Sequence, residues 1–317
     1  MSEFPHAAPP AIEGAADRVA AVRTEVARAF IGQPQALDQI LIALLAGGHV
    51  LIEGVPGLGK TLLVRALAQA LSLDFARVQF TPDLMPSDVS GHAVFDPGTQ
   101  RFEIRRGPVF THLLLADEIN RAPPRTQSAL LEAMAEHQVT LDGTTHRLEE
   151  PFFVIATQNP VDLSGTYPLP DSQLDRFLLR MALGYPEPKD ERALLAGSDR
   201  RELIAQARPL LGVEQVLELR AAVAQVHASD ALLDYVQALV NRSRRQPGVR
   251  VGLSPRAGLA LLRGARAHAL LLGRDHVIPE DVQALFAAVA AHRLVPDAEG
   301  ASATDLAQAI AQAVAVD

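Results

Sequence analysis

The run Gly54-Val55-Pro56-Gly57-Leu58-Gly59-Lys60-Thr61 sets three glycines ahead of a lysine and a threonine. That spacing suits one chemical task, the wrapping of backbone N–H groups around a phosphate chain. A helix beginning near Lys60 turns its partial positive end toward the same anion. Lys60 then reaches the β- and γ-phosphates, Thr61 offers its hydroxyl to Mg²⁺, and Leu62 continues the wrap. Farther along, the apolar run Leu113-Leu114-Leu115-Ala116 ends in Asp117-Glu118. Two acids at a strand end suit a pair of roles: Asp117 holds Mg²⁺ through its water shell, and Glu118 polarises the water that attacks the terminal phosphate. Alone, such acids could simply cap the next helix. Joined to the phosphate loop, they describe hydrolysis of Mg²⁺-ATP. A dinucleotide-binding reading of Gly57-x-Gly59 fails because Leu62 stands where the third glycine belongs.

These groups need rigid supports, and the flanking residues provide them. His49-Val50-Leu51-Ile52-Glu53 reads as a buried strand entering the loop, and Leu62 to Ala68 as the helix leaving it. Asp74 to Phe80, Thr111 to Ala116, Pro151 to Thr157 and Phe177 to Met181 read as further strands, which predicts an α/β fold with a parallel sheet between helices. Ile12 to Leu45 is helical, with a turn at Ile31-Gly32-Gln33-Pro34. Two β-hairpins interrupt this core, one turning at Asp96-Pro97-Gly98-Thr99 and one at Asp142-Gly143. Gly184-Tyr185-Pro186-Glu187-Pro188 reads as a linker, beyond which the pattern is helical throughout. The predicted organisation is a loose tail over 1–14, a nucleotide-binding core over 15–185 and a small all-α domain over 186–317.

With 317 residues the chain can bury two cores. A net charge of −8 and an aromatic content of 4% argue against a large nucleic-acid footprint or a base-stacking platform. The absence of cysteine removes disulfides, thiolate zinc and a cysteine nucleophile. No signal peptide and no segment long enough to span a bilayer is evident, so a cytoplasmic location is expected. The histidines show no metal-ligand spacing. Arg242, Arg244, Arg245 and Arg250 could bind phosphate or nucleic acid, but a solvated face or a contact with a neighbouring subunit is the preferred reading.

Five further segments carry a resemblance: Phe80-Thr81-Pro82-Asp83-Leu84-Met85-Pro86-Ser87-Asp88, Leu114 through Asp117-Glu118-Ile119-Asn120-Arg121-Ala122-Pro123-Pro124, Ala156-Thr157-Gln158-Asn159-Pro160, Gly165-Thr166-Tyr167-Pro168-Leu169-Pro170, and Gln173-Leu174-Asp175-Arg176-Phe177. With Phe30-Ile31-Gly32-Gln33 and Leu253-Ser254-Pro255-Arg256, the chain resembles the MoxR family of AAA+ ATPases over nearly all its length. The resemblance implies an AAA+ core followed by a helical lid. It implies that Asn159 is the first sensor, orienting the attacking water, that Arg176 is an arginine finger entering a neighbour's site, and that Arg256 is the second sensor, acting within its own subunit or on a neighbour. Ile31 and Gly32 would lie beside adenine, and Gln79 or Thr81 would restrain Glu118. The hairpins would face the pore of a ring, a hexamer by resemblance, with Phe95, Phe102, Arg105 and Arg106 toward substrate. The implied partners are a protein with a von Willebrand factor A domain and a client metalloenzyme or complex. A chelatase-type motor subunit and a nucleic-acid-dependent ATPase are the alternatives; the Ile119-to-Pro124 segment favours the MoxR reading over the first.

Overall fold

The computed structural model describes residues 12–159, 165–196, 200–298 and 301–316. Of the expected tail only the last three residues fall within them, as a turn with Ile12 buried. Pro160, which ends one of the motifs, lies outside the described residues.

Among the described residues five strands form one parallel sheet: β1 (Val50–Glu53), β2 (Phe75–Gln79), β5 (Leu113–Asp117), β8 (Phe153–Gln158) and β9 (Leu179–Ala182), in the order β2-β5-β8-β1-β9. The three central strands are apolar at nearly every position because both of their faces are covered. Alternate residues point to opposite sides. Leu51, Leu114, Ala116, Val154 and Ala156 pack with the helices α4 (Pro86–Ser90) and α5 (Pro124–Glu136). Val50, Ile52, Leu113, Leu115, Phe153 and Ile155 pack toward α1 (Ala15–Ala29), α2 (Pro34–Leu45) and α3 (Lys60–Ala70). The order places β1, β8 and β5 side by side, so the loops leaving their carboxyl ends share one rim.

The hairpins are where the sequence places them. β3 (Gly91–Asp96) pairs with β4 (Arg101–Arg106), and β6 (Gln138–Leu141) with β7 (Thr144–Arg147). Phe95 and Phe102 face each other edge to face at 5.4 Å, and Phe102 is 73% exposed, so this pair is an uncovered apolar tip. Arg106, by contrast, lies over the Phe110 ring at 5.2 Å and serves the base of the hairpin.

After the short α6 (Asp171–Leu174) and β9, the expected linker is shorter than the two prolines suggest. Pro188 opens α7 (Pro188–Ala196), the position in a helix where proline's missing N–H matters least. α8 (Arg200–Ala205), α9 (Val213–Gln225), α10 (Asp230–Ser243), α11 (Pro255–Leu271), α12 (Pro279–Ala290) and α13 (Ala303–Ala313) follow. Among the described residues the helical pattern is broken by a short antiparallel pair, β10 (Val249–Val251) with β11 (Val295–Pro296), and by an isolated bridge between His227 and His276. The fully buried Asp281 caps α12 by accepting the Ile278 N–H at 2.9 Å, and also takes Arg274 and His268, each at 2.7 Å. These donors outweigh burial and hold its carboxyl at about 2. Arg244 donates to the Leu253 carbonyl at 3.0 Å, fastening the end of α10, so this member of the basic cluster is occupied by backbone.

Arg293 fixes the lid against the core. Its guanidinium reaches Asp175 Oδ1 at 2.6 Å and the Phe177 carbonyl at 2.7 Å. No helix among the described residues is long and apolar enough to cross a membrane.

Two buried histidines make acid sensitivity a built-in property. His49 Nδ1 accepts the Val154 N–H at 3.0 Å, so its Nε2 carries the proton toward the Met134 carbonyl at 3.2 Å. Burial first, then the nearby His137 and Arg220, push His49 down to about 3, and burial with Arg293 pushes His292 well below its ordinary range. A histidine neutral when folded takes up its proton on unfolding below about pH 6.5, so stability present above that pH is lost as the pH falls toward the folded value. Each group then contributes a slope of about 1.4 kcal/mol per pH unit. Thermal unfolding followed from pH 8 to pH 5 is expected to show a falling midpoint below pH 6.5. His49→Asn, which keeps an acceptor for Val154, should flatten that fall; an unchanged slope would remove His49 as a source.

Candidate active site

Entry into the phosphate loop is set by backbone conformation. Gly57 and Gly59 adopt φ of 89° and 79°, the left-handed region that side chains resist. At Gly54 a Cβ would stand 2.9 Å from the Leu183 carbonyl oxygen, so only glycine lets the loop pass the end of β9. α3 begins at Lys60 with no side chain capping its first amides. The cavity in front of it measures about 600 Å³ and is walled by Gly54, Pro56, Gly57, Gly59, Lys60, Thr61 and Leu62 of the loop, by Asp117 and Glu118 from β5, and by Asn159 from the end of β8. Val55 is not on that wall, and Leu58 turns its side chain toward the apolar core.

Lys60 Nζ donates to the Gly54 carbonyl at 2.6 Å. Burial lowers its pKa from the ordinary lysine range, against the opposing pull of Asp117 and Glu118. A polyphosphate brought alongside would favour the charged form further. Asp117 is held from two sides: Thr157 Oγ1 donates to Oδ1 at 2.6 Å, and Arg77 Nη2 donates to Oδ2 at 2.8 Å. Thr157 Oγ1 also accepts the Glu118 N–H at 2.9 Å, so one hydroxyl orients both acids.

Glu118 has φ 57° and ψ 49°, a left-handed conformation costly for a side-chain-bearing residue. This bend lets successive acids face one cavity. Its Oε2 accepts Gln79 Nε2 at 2.8 Å and Arg121 Nη1 at 2.9 Å. Of the two residues expected near Glu118, then, Gln79 makes the contact; the Thr81 hydroxyl bonds to Asp83 instead. Gln79 also accepts from Arg77 at 2.7 Å, so the chain Asp117, Arg77, Gln79, Glu118, Arg121 is continuous.

Four expected residues lie elsewhere. Gly32 lines a separate cleft of about 610 Å³ beside β9 and α12, and Ile31 a smaller hollow against α1. The reason is local: Gln33 Nε2 is tied to the Gly184 carbonyl at 2.8 Å, and Asp190 of α7 fills the space over Gly32. From that segment the side chain beside Gly59 is Phe30, and α8 adds Ile204 to the cavity wall. Arg176 and Arg256 are brought together, but around a second cavity of about 180 Å³ that shares no lining residue with the phosphate-loop cavity. Arg176 does not pair with Asp175; it donates to the Leu131 carbonyl. Asp175 takes Arg293 and reaches Arg256 Nε at 3.9 Å.

The sequence reading missed Arg77, Arg121, Thr157 and Ile204 as members of the site. Arg121 and Thr157 stand inside the motifs without a role of their own, and Arg77 left a positional signal, since residues two apart on a strand share a face and Gln79 follows it by two.

Cradle and donor set fit a nucleoside triphosphate with Mg²⁺: loop amides and Lys60 suit the phosphates, and the Thr61 hydroxyl with the Asp117 carboxylate are hard oxygen ligands. Fold and site together define a phosphate-loop ATPase of the AAA class. The family model described as "ATPase family associated with various cellular activities (AAA)" matches residues 49–179, and an AAA lid domain matches 241–313. Chaperone MoxR1 of Mycobacterium tuberculosis is 43% identical over 305 residues, covering 92% of this chain and 80% of its own length. Protein MoxR of Methylorubrum extorquens is 35% identical over 88% of both chains, and the uncharacterized protein YeaC of Bacillus subtilis is 47% identical over 91% of this chain and 92% of its own. A crystal structure from Cytophaga hutchinsonii, provisionally described as an ATPase, superposes with a TM-score of 0.90 at 38% identity, covering 97% of each chain. The chain belongs to the MoxR family of AAA+ ATPases.

Proposed function

We propose that the protein hydrolyses Mg²⁺-ATP at a site shared between copies in a ring, and uses the resulting motion as a MoxR-type chaperone in the cytoplasm. The observation that carries the shared site is the separation of the arginine cavity from the phosphate-loop cavity of the same chain. Arg176 and Arg256 are absent from the wall of their own chain's loop cavity, which supports the reading that they meet a neighbour's phosphate. A ring, a hexamer by family resemblance, supplies each loop with the next copy's arginines.

Within the site, Lys60 and the loop amides bind and orient the phosphates. Thr61 and Asp117 would hold Mg²⁺, which when bound supplies neutralisation of the phosphate charge. Glu118 takes the proton of the attacking water, Asn159 fixes that water's orientation, and Arg176 of a neighbour meets charge developing on the transferred group. Gln79 and Arg121 keep Glu118 directed away from this task until movement of the subunit releases it.

The client reading rests on the relatives' chaperone naming and on the uncovered Phe95–Phe102 tip. A protein with a von Willebrand factor A domain, acting on a metalloenzyme or complex, is the proposed partner. Affinity capture from native lysate with Glu118→Gln, loaded with ATP or ADP, tests it. Retention of an A-domain protein with ATP alone is the expected result; recovery of a chelatase subunit or nucleic acid in its place would overturn the chaperone reading.

A further inference from the structure

The second cavity contains more positive charge than its known contacts use. Arg176, Arg256, Arg263 and Arg293 face it, and Asp175 is the sole carboxylate among its described lining residues. Arg293 is occupied by Asp175 and by core carbonyls. Arg263 has no hydrogen bond or ion pair to any described residue. It lies seven positions after Arg256 on α11, and with Leu259 between them the three share one exposed helix face. Leu259 is 62% exposed, so this face is uncovered in the single chain. Partial burial, then the neighbouring Arg256, lowers the pKa of Arg263, as expected for like charges crowded together.

We propose that Arg263 is a third guanidinium, beside Arg176 and Arg256, of a face that receives the terminal phosphates of the nucleotide held by a second copy of this chain. The inference rests on the shared-site reading above and adds a residue to it. The pocket is about 180 Å³, the scale of a phosphate group and not of a polymer strand, and the chain's net charge of −8 disfavours a polyanion. Asp175 and Arg293 act as its frame: their ion pair joins lid to core, which sets α11 at a fixed distance from Arg176. Arg263 is a positioning and charge-neutralising group for a phosphate bound elsewhere, which explains its absence from the wall of its own chain's phosphate loop.

The test uses full-length Arg263→Ala and Arg263→Lys, with Arg176→Ala as reference and Lys60→Ala as mixing partner. A fluorescent ATP analogue should bind both Arg263 variants as it binds the wild type, which also shows that they fold. Turnover at saturating protein should fall about tenfold or more in Arg263→Ala, and Arg263→Lys should recover part of it, since charge is kept without the planar fork. Mixing Arg263→Ala with Lys60→Ala should raise activity above the sum, because one partner supplies the loop and the other the arginine face. Turnover of Arg263→Ala within about twofold of wild type, with Arg176→Ala inactive, overturns Arg263 alone. If mixing rescues Arg176→Ala and not Arg263→Ala, Arg263 acts in its own subunit and the proposal falls. If both variants are unaffected, the shared-site reading itself fails, and Arg263 with it. Inorganic phosphate alone is the other source: a thermal shift lost in Arg263→Ala, without rescue on mixing, would make this a free-anion site and overturn the second copy's role.

Discussion

Glu118→Gln should lose about 10²- to 10⁴-fold in ATP turnover, the range typical of removing a positioned general base, while nucleotide affinity stays as it was. The two effects separate because different groups carry them. Phosphate binding is assigned to the loop from Gly54 to Thr61, whereas Glu118 lines the same cavity from just beyond the end of β5. Glutamine has nearly the same shape, and its amide oxygen can still accept from Gln79 and Arg121 at the 2.8 and 2.9 Å now seen. What it loses is the ability to take a proton. Single-turnover phosphate release, measured beside equilibrium binding of a fluorescent nucleotide, checks both halves. Retention of more than about a tenth of wild-type turnover would show that another group takes the proton. Gln79→Ala offers the opposite sign: with one of its two tethers gone, Glu118 should reach the water more often and basal turnover should rise.

The phosphate loop and the strand leading into it were legible because each is contiguous and its residue types have few other uses. The central strands were legible for a related reason: burial on both faces makes Val50–Ile52, Leu113–Ala116 and Phe153–Ala156 uninterrupted apolar runs. α5 drew no reading of its own, and Pro124 opens it. Pro188, read as part of a linker, opens α7 in the same way. Residues that join the site through sheet pairing were hidden. Arg77 meets Asp117 because β2 lies against β5 with Gln79 opposite Asp117, a register no linear motif encodes. Phe30 and Ile31 are adjacent in sequence, and which of them approaches Gly59 depends on how α7 settles over Gly32. The place of Arg256 in the fold was unreadable for a larger reason. It is fixed by the docking of the lid, through Arg293 and the packing of α12 beside β9, and neither carries a signature in the local sequence.

That docking gives the second large prediction. Arg176→Ala should lower turnover by about 10³- to 10⁵-fold, roughly 4 to 7 kcal/mol of transition-state stabilisation, if it meets the transferred phosphoryl as arginine fingers do. Arg176 is partly buried, makes one hydrogen bond to the Leu131 carbonyl, and leaves Asp175 to Arg293, so its removal leaves the lid-to-core ion pair in place. Nucleotide affinity of a single subunit should therefore be unchanged. A finger supplied by a neighbour also makes turnover depend on association: the wild type should gain specific activity as its concentration rises, and when diluted below assembly should fall to the level of the variant. A side chain that acted on its own subunit would show no such convergence. Steady-state ATP hydrolysis across a dilution series, for wild type and Arg176→Ala together, reads both features. A loss below about tenfold in the assembled protein, or a wild-type activity independent of concentration, would remove Arg176 from the reaction and with it the requirement that a second copy complete the site.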